Sequence, residues 1–487
     1  MAGIEEIRSE RLKKLSLLKE GGRNPYPNKI PRQYSLEEIR SNFSKLEEQK
    51  KDISIAGRVV AVRGQGAIQF VVLHDGTGKF QAVLKKDTLG EEEMSFFGTV
   101  IDAGDFISVT GELFITQRGE ESILVKSWVM GTKSLRALPE KWHGLEDEDE
   151  KLRKRYLDIL QDDELRELFV KKSKFWNAIR SFMLNEGFLE VETPVLENTT
   201  GGADARPFKT HHNALDLDVF LRISCGELWQ KRLMVAGYNK VFEIGRIFRN
   251  EGISPEHAQD YTQLEFYWGY ANYEDGMELV ERMYKHVATV AFGTLEFTIG
   301  NFTVDLSKPW ERYDYGETIK KFTDIDIATA TLDDIEGALK RLKVEYDKKN
   351  WNRVRAIDTL WKYCRKKLSG PGFLINVPVE MSPLAKLSKD GKTVEQFQPI
   401  IAGSEVGKGY SELNDPIDQA ARFQAQQDMR DAGDDEAQMY DHDFVEALEQ
   451  GMPPTCGFGV SERLFAFLAN KPIREAQLFP LMRPREK

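Results

Sequence analysis

Carboxylates, phenols and arginines recur in this chain at spacings that would set them on one surface. Residues 242–273 read FEIGRIFRNEGISPEHAQDYTQLEFYWGYANY: Arg249 opens a polar run holding Glu251, Glu256, His257 and Asp260, and Glu265 and Tyr267 follow two residues apart. Residues two apart in a strand share a face. Gln263, Glu265, Tyr267 and Gly269 would therefore form one side of a strand, and Leu264, Phe266, Trp268 and Tyr270 the other. Upstream, the same alternation sets Phe242, Ile244 and Phe248 against Glu243, Gly245 and Arg249. An aromatic back belongs in a core, whereas a face with a carboxylate, a phenol and an amide is offered to a polar ligand. The connection Asn250–Asp260 exceeds the roughly 2–5 residues of a hairpin turn, as functional loops do. Further on, Tyr410 and Glu412 repeat the two-residue spacing. In GFGVSERLFAF (Gly457–Phe467) Arg463 falls in the first turn of an expected helix, and an arginine at a helix start is a phosphate site. Spacing alone leaves a solvated amphipathic hairpin and ion-paired surface carboxylates as open alternatives.

The elements that must position these residues are of two kinds. Between Ile53 and Val129 lie five short apolar-alternating segments separated by Gly and Asp turns, with a helical piece at Glu91–Phe97 after the third. That is the pattern of an OB-fold barrel. Such barrels stack single-stranded bases on aromatics above a basic groove. Phe70 and Phe80 are candidate stackers beside Arg58, Arg63 and Gln81, with core packing the alternative for either ring. Ile4–Leu18 has helical periodicity with Arg8, Arg11, Lys13, Lys14 and Lys19 interspersed, the pattern of a solvated surface helix. Downstream, apolar residues at helical spacing fill Asp162–Asn185, ending at Gly187. Residues 274–375 add a helix, short strands and a Lys- and Asp-rich insertion without evident chemistry.

At 487 residues the chain exceeds one compact core, so two or more domains are expected. With 41% hydrophobic and 30% charged residues it has a globular composition, and no apolar run is long enough to span a bilayer. MAGIEEIRSERLKKL lacks an apolar signal core, so a cytoplasmic location is expected. The net charge of −11 does not exclude a nucleic-acid partner, because such binding rests on local basic patches. Cys225, Cys364 and Cys456 are too scattered for a metal motif, and adjacent His211 and His212 would point to opposite faces of a strand, so no zinc is expected.

FRNEGIS, followed by a loop histidine and T-x-x-E-x-Y, resembles motif 2 of the class II aminoacyl-tRNA synthetases, within them the lysyl-tRNA synthetase family. FLEVETP (Phe188–Pro194) resembles motif 1, which builds the dimer interface there, and GFGVSERLFAF resembles motif 3. MSPLAK, EQFQPIIAGSEVGKGYSELNDP and IREAQLFPLMRP follow the family as well, so the likeness covers nearly the whole chain. It implies an α+β fold: a class II antiparallel sheet flanked by helices, preceded by an N-terminal OB-fold barrel. The expected domains are a helix and linker (1–50), an anticodon-binding barrel (51–135), a connector (136–160) and the catalytic domain (161–487).

By the same resemblance, the chain forms lysyl-adenylate from L-lysine and ATP and transfers lysine to tRNA(Lys), as a homodimer with Mg2+. Arg249 and Arg463 would be catalytic. ATP would meet Arg249, Glu251, His257, Tyr261, Glu405 and Arg463, with Glu405 and Gln398 towards the metal. Lysine would meet Gly202, Glu227, Arg249, Glu265, Tyr267, Lys408, Tyr410 and Glu412, and the anticodon Arg63, Phe70, Phe80 and Gln81. The chain departs from the family at Gln398, commonly Glu; at Lys408, usually Asn; at Ser127, often acidic; and in SCGEL, one residue longer before Glu227. Among other readings, an aspartate or asparagine enzyme is disfavoured by the pocket glutamates. A protein-lysylating relative would lack the barrel, and a non-catalytic paralogue would be expected to lose Arg249 or Arg463.

Overall fold

A computed structural model describes residues 3–64, 66–139, 147–203, 205–250, 252, 257–346, 351–382, 384–432 and 438–485. The chain forms two compact units, residues 1–146 and 147–487.

In the first unit, β1 (Ile53–Arg63), β2 (Ile68–His74), β3 (Lys79–Lys85), β4 (Phe106–Ile115) and β5 (Glu121–Thr132) close into a barrel of order β1-β2-β3-β5-β4. Helices Lys86–Leu89 and Glu91–Val100 lie between β3 and β4 in the chain, where the OB pattern requires a helical connection. Closure sends one residue of every two inward: Val59, Leu73, Phe80, Leu84, Ile107 and Val125 are buried together. The basic N-terminal segment is a helix, Ile4–Glu20, but it is not simply solvated. Arg11 is only 7% exposed and donates to the Ala103 and Arg136 carbonyls at 2.8 Å each. Beside it the buried Lys133 ammonium meets Asp102 at 2.7 Å and Asp105 at 2.8 Å. A guanidinium with several donors can bind several main-chain carbonyls at once, so the helix is bolted to the barrel.

The second unit is built on a sheet whose strands are β6 (Leu189–Glu190), β7 (Lys240–Phe248), β8 (Asp260–Gly269), β9 (Glu311–Asp314), β10 (Gly372–Ile375), β11 (Gln396–Ile401), β12 (Ser404–Glu405), β13 (Lys408–Ser411) and β14 (Thr455–Ser461). They run in the order β9-β10-β11-β13-β14-β8-β7-β6, with β12 hairpinned onto β11. The pairings are antiparallel except β9 with β10 and β7 with β6 at the two ends. Alternation then sorts the side chains. Leu264, Phe266, Phe373, Phe397 and Phe458 pack with helices Asp163–Asn185 and Tyr273–Phe292 on one side. Val241, Tyr267, Leu374 and Tyr410 pack with helices Glu227–Val235 and Arg353–Arg365 on the other.

One expectation about this sheet needs correction. Tyr270 does not join the aromatic back of β8: the strand ends at Gly269, the φ of Tyr270 is 63°, and the residue is 76% exposed. Phe188–Pro194 pairs as a strand through Leu189 and Glu190, and the Val191 amide ends the run on the Phe242 carbonyl at 2.9 Å. Beyond it the Thr193 amide and hydroxyl donate to the Glu243 carboxylate at 3.0 and 2.6 Å, so a side chain takes over from the ladder before Pro194 ends it.

Candidate active site

The ligand face of the sheet is laid out in rows, because directly paired residues share a face. Glu243, Glu265, Gly459 and Lys408 follow one another across β7, β8, β14 and β13; Tyr267, Gly457 and Tyr410 form the next row. The two glycines of β14 keep this floor low. A Cβ at Gly457 would lie 2.0 Å from a Glu412 carboxylate oxygen and 2.7 Å from the Tyr267 ring; one at Gly459 would press on Gln263 and Glu265.

A cavity of about 910 Å³ opens above this floor. Glu227, Glu265, Tyr267, Tyr410 and Glu412 line one part of it, together with Gly202 and Lys408; Arg249, His257, Tyr261, Gln398, Glu405 and Arg463 also line it. Glu251 lies outside the described residues.

Glu227 starts its helix after Gly226, which has a φ of 75° and whose Cβ would collide with Thr193. A left-handed glycine thus makes the turn into this helix. Gly202, at φ 86°, brings its loop close enough that a Cβ would touch Ser224 and Glu227. Its amide donates to Gln438 at 3.2 Å.

Glu265 is 4% exposed and accepts from the Cys225 amide at 2.8 Å, the Gln263 side chain at 2.6 Å and the Tyr267 hydroxyl at 3.3 Å. Glu227 accepts from the Tyr410 hydroxyl at 2.6 Å. Sequence reasoning missed a central member of the cluster: Lys231, 1% exposed, sets its ammonium 2.7 Å from Glu227 and 2.6 Å from Glu412. It stands four residues after Glu227, so the two share a helix face, and that spacing was the available signal.

Burial raises the Glu265 carboxyl, and the neighbouring charge of Glu227 adds to it. Burial likewise raises Glu412, against the opposing pull of Lys231. Burial works against the Lys231 charge, but Glu227 and Glu412 together outweigh it and hold the ammonium above its ordinary range. The cluster is short of positive charge.

Elsewhere in the cavity cations predominate. Arg249 donates to the Ile223 carbonyl at 3.2 Å, with its guanidinium 5.9 Å from the Tyr261 ring centre. Arg463 donates to the Ser404 hydroxyl at 3.2 Å. The helix that Arg463 begins has only six residues and is capped by Glu462, whose carboxylate is tied to Lys172 and Gln477. The side chain rather than the helix end is therefore what this segment offers an anion. The insertion is not chemically silent: helix Arg353–Arg365 delivers Lys362 to the cavity wall and Trp361, whose indole donates to Glu405 at 2.5 Å.

Among the described residues no group of three or more His, Cys, Asp or Glu could hold a metal. Glu405, with the Gln398 amide lining the same cavity, suits a magnesium ion that arrives on a nucleotide and keeps most of its ligands as water and phosphate oxygens. His211 is occupied with Asp218 at 2.9 Å. Burial pushes the Cys225 and Cys456 thiols up and away from reactivity.

On the barrel, ladder pairing sets Arg63 beside Phe70 and Val72 beside Gln81, so Arg63, Phe70 and Gln81 share the outer face. Arg63 is exposed and Phe70 half-buried, while the Gln81 amide donates to Ser122 at 2.9 Å. Phe80 does not belong with them. It pairs with Leu73 on the inner face, is 2% exposed and packs on Phe43, so it cannot stack on a base. Arg58 lies over the Phe106 ring at 4.3 Å and donates to the Gly104 carbonyl, tied to the barrel itself.

Residues 147–483 match the family of tRNA synthetases class II (D, K and N), and residues 53–130 match the OB-fold nucleic acid binding domain. The chain belongs to the class II tRNA synthetases. Similar proteins include the lysine–tRNA ligase of Thermotoga maritima, 41% identical over 99% of this chain and 97% of the relative. Those of Clostridium perfringens and Moorella thermoacetica are each 43% identical over 99% of this chain, covering 97% and 99% of the relatives. Within its class, the chain is a member of the lysine–tRNA ligase family.

Proposed function

We propose that this chain activates L-lysine with ATP and transfers it to the 3′ end of tRNA(Lys), releasing pyrophosphate and AMP. One observation carries the choice of amino acid. Glu227, Glu265 and Glu412 converge in the cavity beside one buried ammonium, Lys231, and burial keeps Glu265 and Glu412 raised where, among the described residues, no further cation meets them. Free lysine brings two ammonium groups. Glu227, with Gly202 beside it, takes the α-ammonium; Glu412, Glu265 and Tyr267 surround the ε-ammonium, and Tyr410 orients Glu227. The substrate carboxylate faces Arg249 and Lys408. An uncharged analogue of the same shape leaves buried carboxylates unmatched, a mismatch that can discriminate by about 10⁴.

In the first step the lysine carboxylate attacks the α-phosphorus of ATP in line and pyrophosphate leaves. No side-chain nucleophile is needed, so positioning and charge neutralisation carry the rate. Arg249 holds the α-phosphate against the attacking carboxylate. Arg463 holds the γ-phosphate and stabilises the leaving pyrophosphate. His257 and Glu251 anchor ATP, and Tyr261 stacks on adenine. Glu405 and Gln398 would hold the Mg2+ borne by ATP, which would offset phosphate charge. The second step moves lysine to a ribose hydroxyl of the tRNA end. Arg63, Phe70 and Gln81 form an anticodon surface of the kind used for single strands.

Apolar side chains exposed near motif 1, among them Leu189 at 49%, Val195 at 43% and Leu196 at 48%, support a homodimer. Among the described residues no helix is long and apolar enough to cross a membrane. The test is pyrophosphate exchange into ATP with each amino acid singly and without tRNA. Exchange with lysine alone is expected; exchange with a different amino acid, or none, overturns the assignment.

A further inference from the structure

The ammonium of Lys231 sits between two of the carboxylates that the reading above gives to the substrate. It is 2.7 Å from Glu227 and 2.6 Å from Glu412, about 6 Å from the ring centres of Tyr267 (5.9 Å) and Tyr410 (5.6 Å). It does not line the cavity, though Glu227, Tyr410 and Glu412 do: it stands behind them as part of the wall. This arrangement has two physical consequences. A buried ammonium between two carboxylates pins both, because moving either one gives up a desolvated ion pair. It also sets a positive charge directly behind Glu412, a carboxylate that meets the ε-ammonium in the reading above. Like charges at that depth are weakly screened and repel strongly.

We propose that Lys231 is a specificity-determining positioning residue that sets the length of cationic side chain the pocket accepts. It holds Glu227 and Glu412 at a fixed separation and closes the pocket with a positive charge. This rests on the lysine-activating function proposed above. A substrate amine meets Glu412 and Glu265 at its own depth; an amine one methylene longer is driven against Lys231. An apolar pocket distinguishes one methylene by only about 10–200-fold, and a charged end wall adds to that.

The experiment is pyrophosphate exchange by the full-length protein with lysine, homolysine (one methylene longer) and ornithine (one shorter), comparing wild type with K231M and K231R. K231M keeps an unbranched stem and removes the charge. It is expected to raise kcat/KM for homolysine relative to lysine at least tenfold while the KM for ATP stays put. K231R keeps the charge on a longer, larger head. It is expected to move preference the other way, towards ornithine, and it remains informative if K231M does not fold. A homolysine-to-lysine ratio unchanged in K231M, or an ornithine-to-lysine ratio unchanged in K231R, overturns the proposal. So does a parallel loss of lysine and ATP use, which would make Lys231 a strut of the fold alone. Failure of the wild type to exchange with lysine would instead refute the underlying function.

Discussion

Replacing Glu412 by glutamine separates function from stability in this pocket. In the free protein Glu227, Glu265 and Glu412 share one internal cation, and burial holds the Glu265 and Glu412 carboxyls up. E412Q preserves the volume and removes one negative charge. Lys231 keeps Glu227 at 2.7 Å, so its ammonium is not orphaned. For the substrate the change is severe, because a buried ammonium that has lost its carboxylate costs about 3–5 kcal/mol. That corresponds to a fall of about 10²–10⁴ in kcat/KM for lysine. ATP contacts none of these groups in the proposed mode, so its KM should not move. For the fold the sign is opposite. A carboxyl raised by burial binds its proton more tightly folded than unfolded. Its stability contribution is therefore full below the unfolded pKa and is lost as pH rises through the folded value. E412Q is free of that loss, so it should melt about 2–4 °C above wild type at pH 8 for each kcal/mol recovered, with a smaller difference at acid pH. The assays are pyrophosphate exchange with lysine and ATP varied in turn, and calorimetry at several pH values. An unchanged lysine KM would refute the placement of the ε-ammonium. A lower melting temperature with lysine use retained would show that the Glu412–Lys231 pair serves the fold.

Four further outcomes follow from the geometry. F70A should weaken tRNA charging by about the 1–3 kcal/mol of one lost base stack and leave tRNA-independent exchange untouched. F80A should instead destabilise the barrel by about 3–5 kcal/mol through a cavity, visible in chemical denaturation. G457A drives a methyl onto the Glu412 carboxylate and Tyr267; lysine KM should rise at least 10-fold and stability fall by about 1–3 kcal/mol from overpacking. Glu197, accepting from the Trp229 indole at 2.9 Å, is raised by burial to about 7. Its stabilising proton is fully present below the ordinary carboxyl range and is lost as pH rises through about 7. E197Q should therefore gain stability over wild type between pH 5 and 8, by at most about 3 kcal/mol.

What could be read from the chain alone followed the range of the interactions concerned. Barrel strands and the hairpin around Arg249 announce themselves through two-residue alternation, a local property. Motif residues such as Glu265 and Arg463 were legible because each carries its neighbours' wording with it. Which face of a barrel strand points inward is not local. Phe70 and Phe80 are both aromatic and both in alternating segments, yet register with β2 turns Phe80 to the core. Arg11 reads as one basic residue among several on a helix, and only its position opposite the carbonyls of Ala103 and Arg136 explains why it is buried. Trp361 sits in a helix that looked like filler, because its partner Glu405 is 44 residues away.

The pocket's charge is the property least visible in one dimension. Glu227 and Lys231 are helix neighbours, Glu265 comes from β8, and Glu412 follows β13. Taken singly, each carboxylate with a nearby lysine or arginine would read as a satisfied surface pair. Two buried acids competing for one ammonium, with a third beside them, do not form a satisfied set. Such an imbalance is expensive to keep in a fold, and the cavity offers the relief, since a ligand carrying two amines supplies the missing charge. Selectivity then comes from the same imbalance: a neutral or acidic side chain adds to the electrostatic cost that the free protein already carries, whereas lysine removes it.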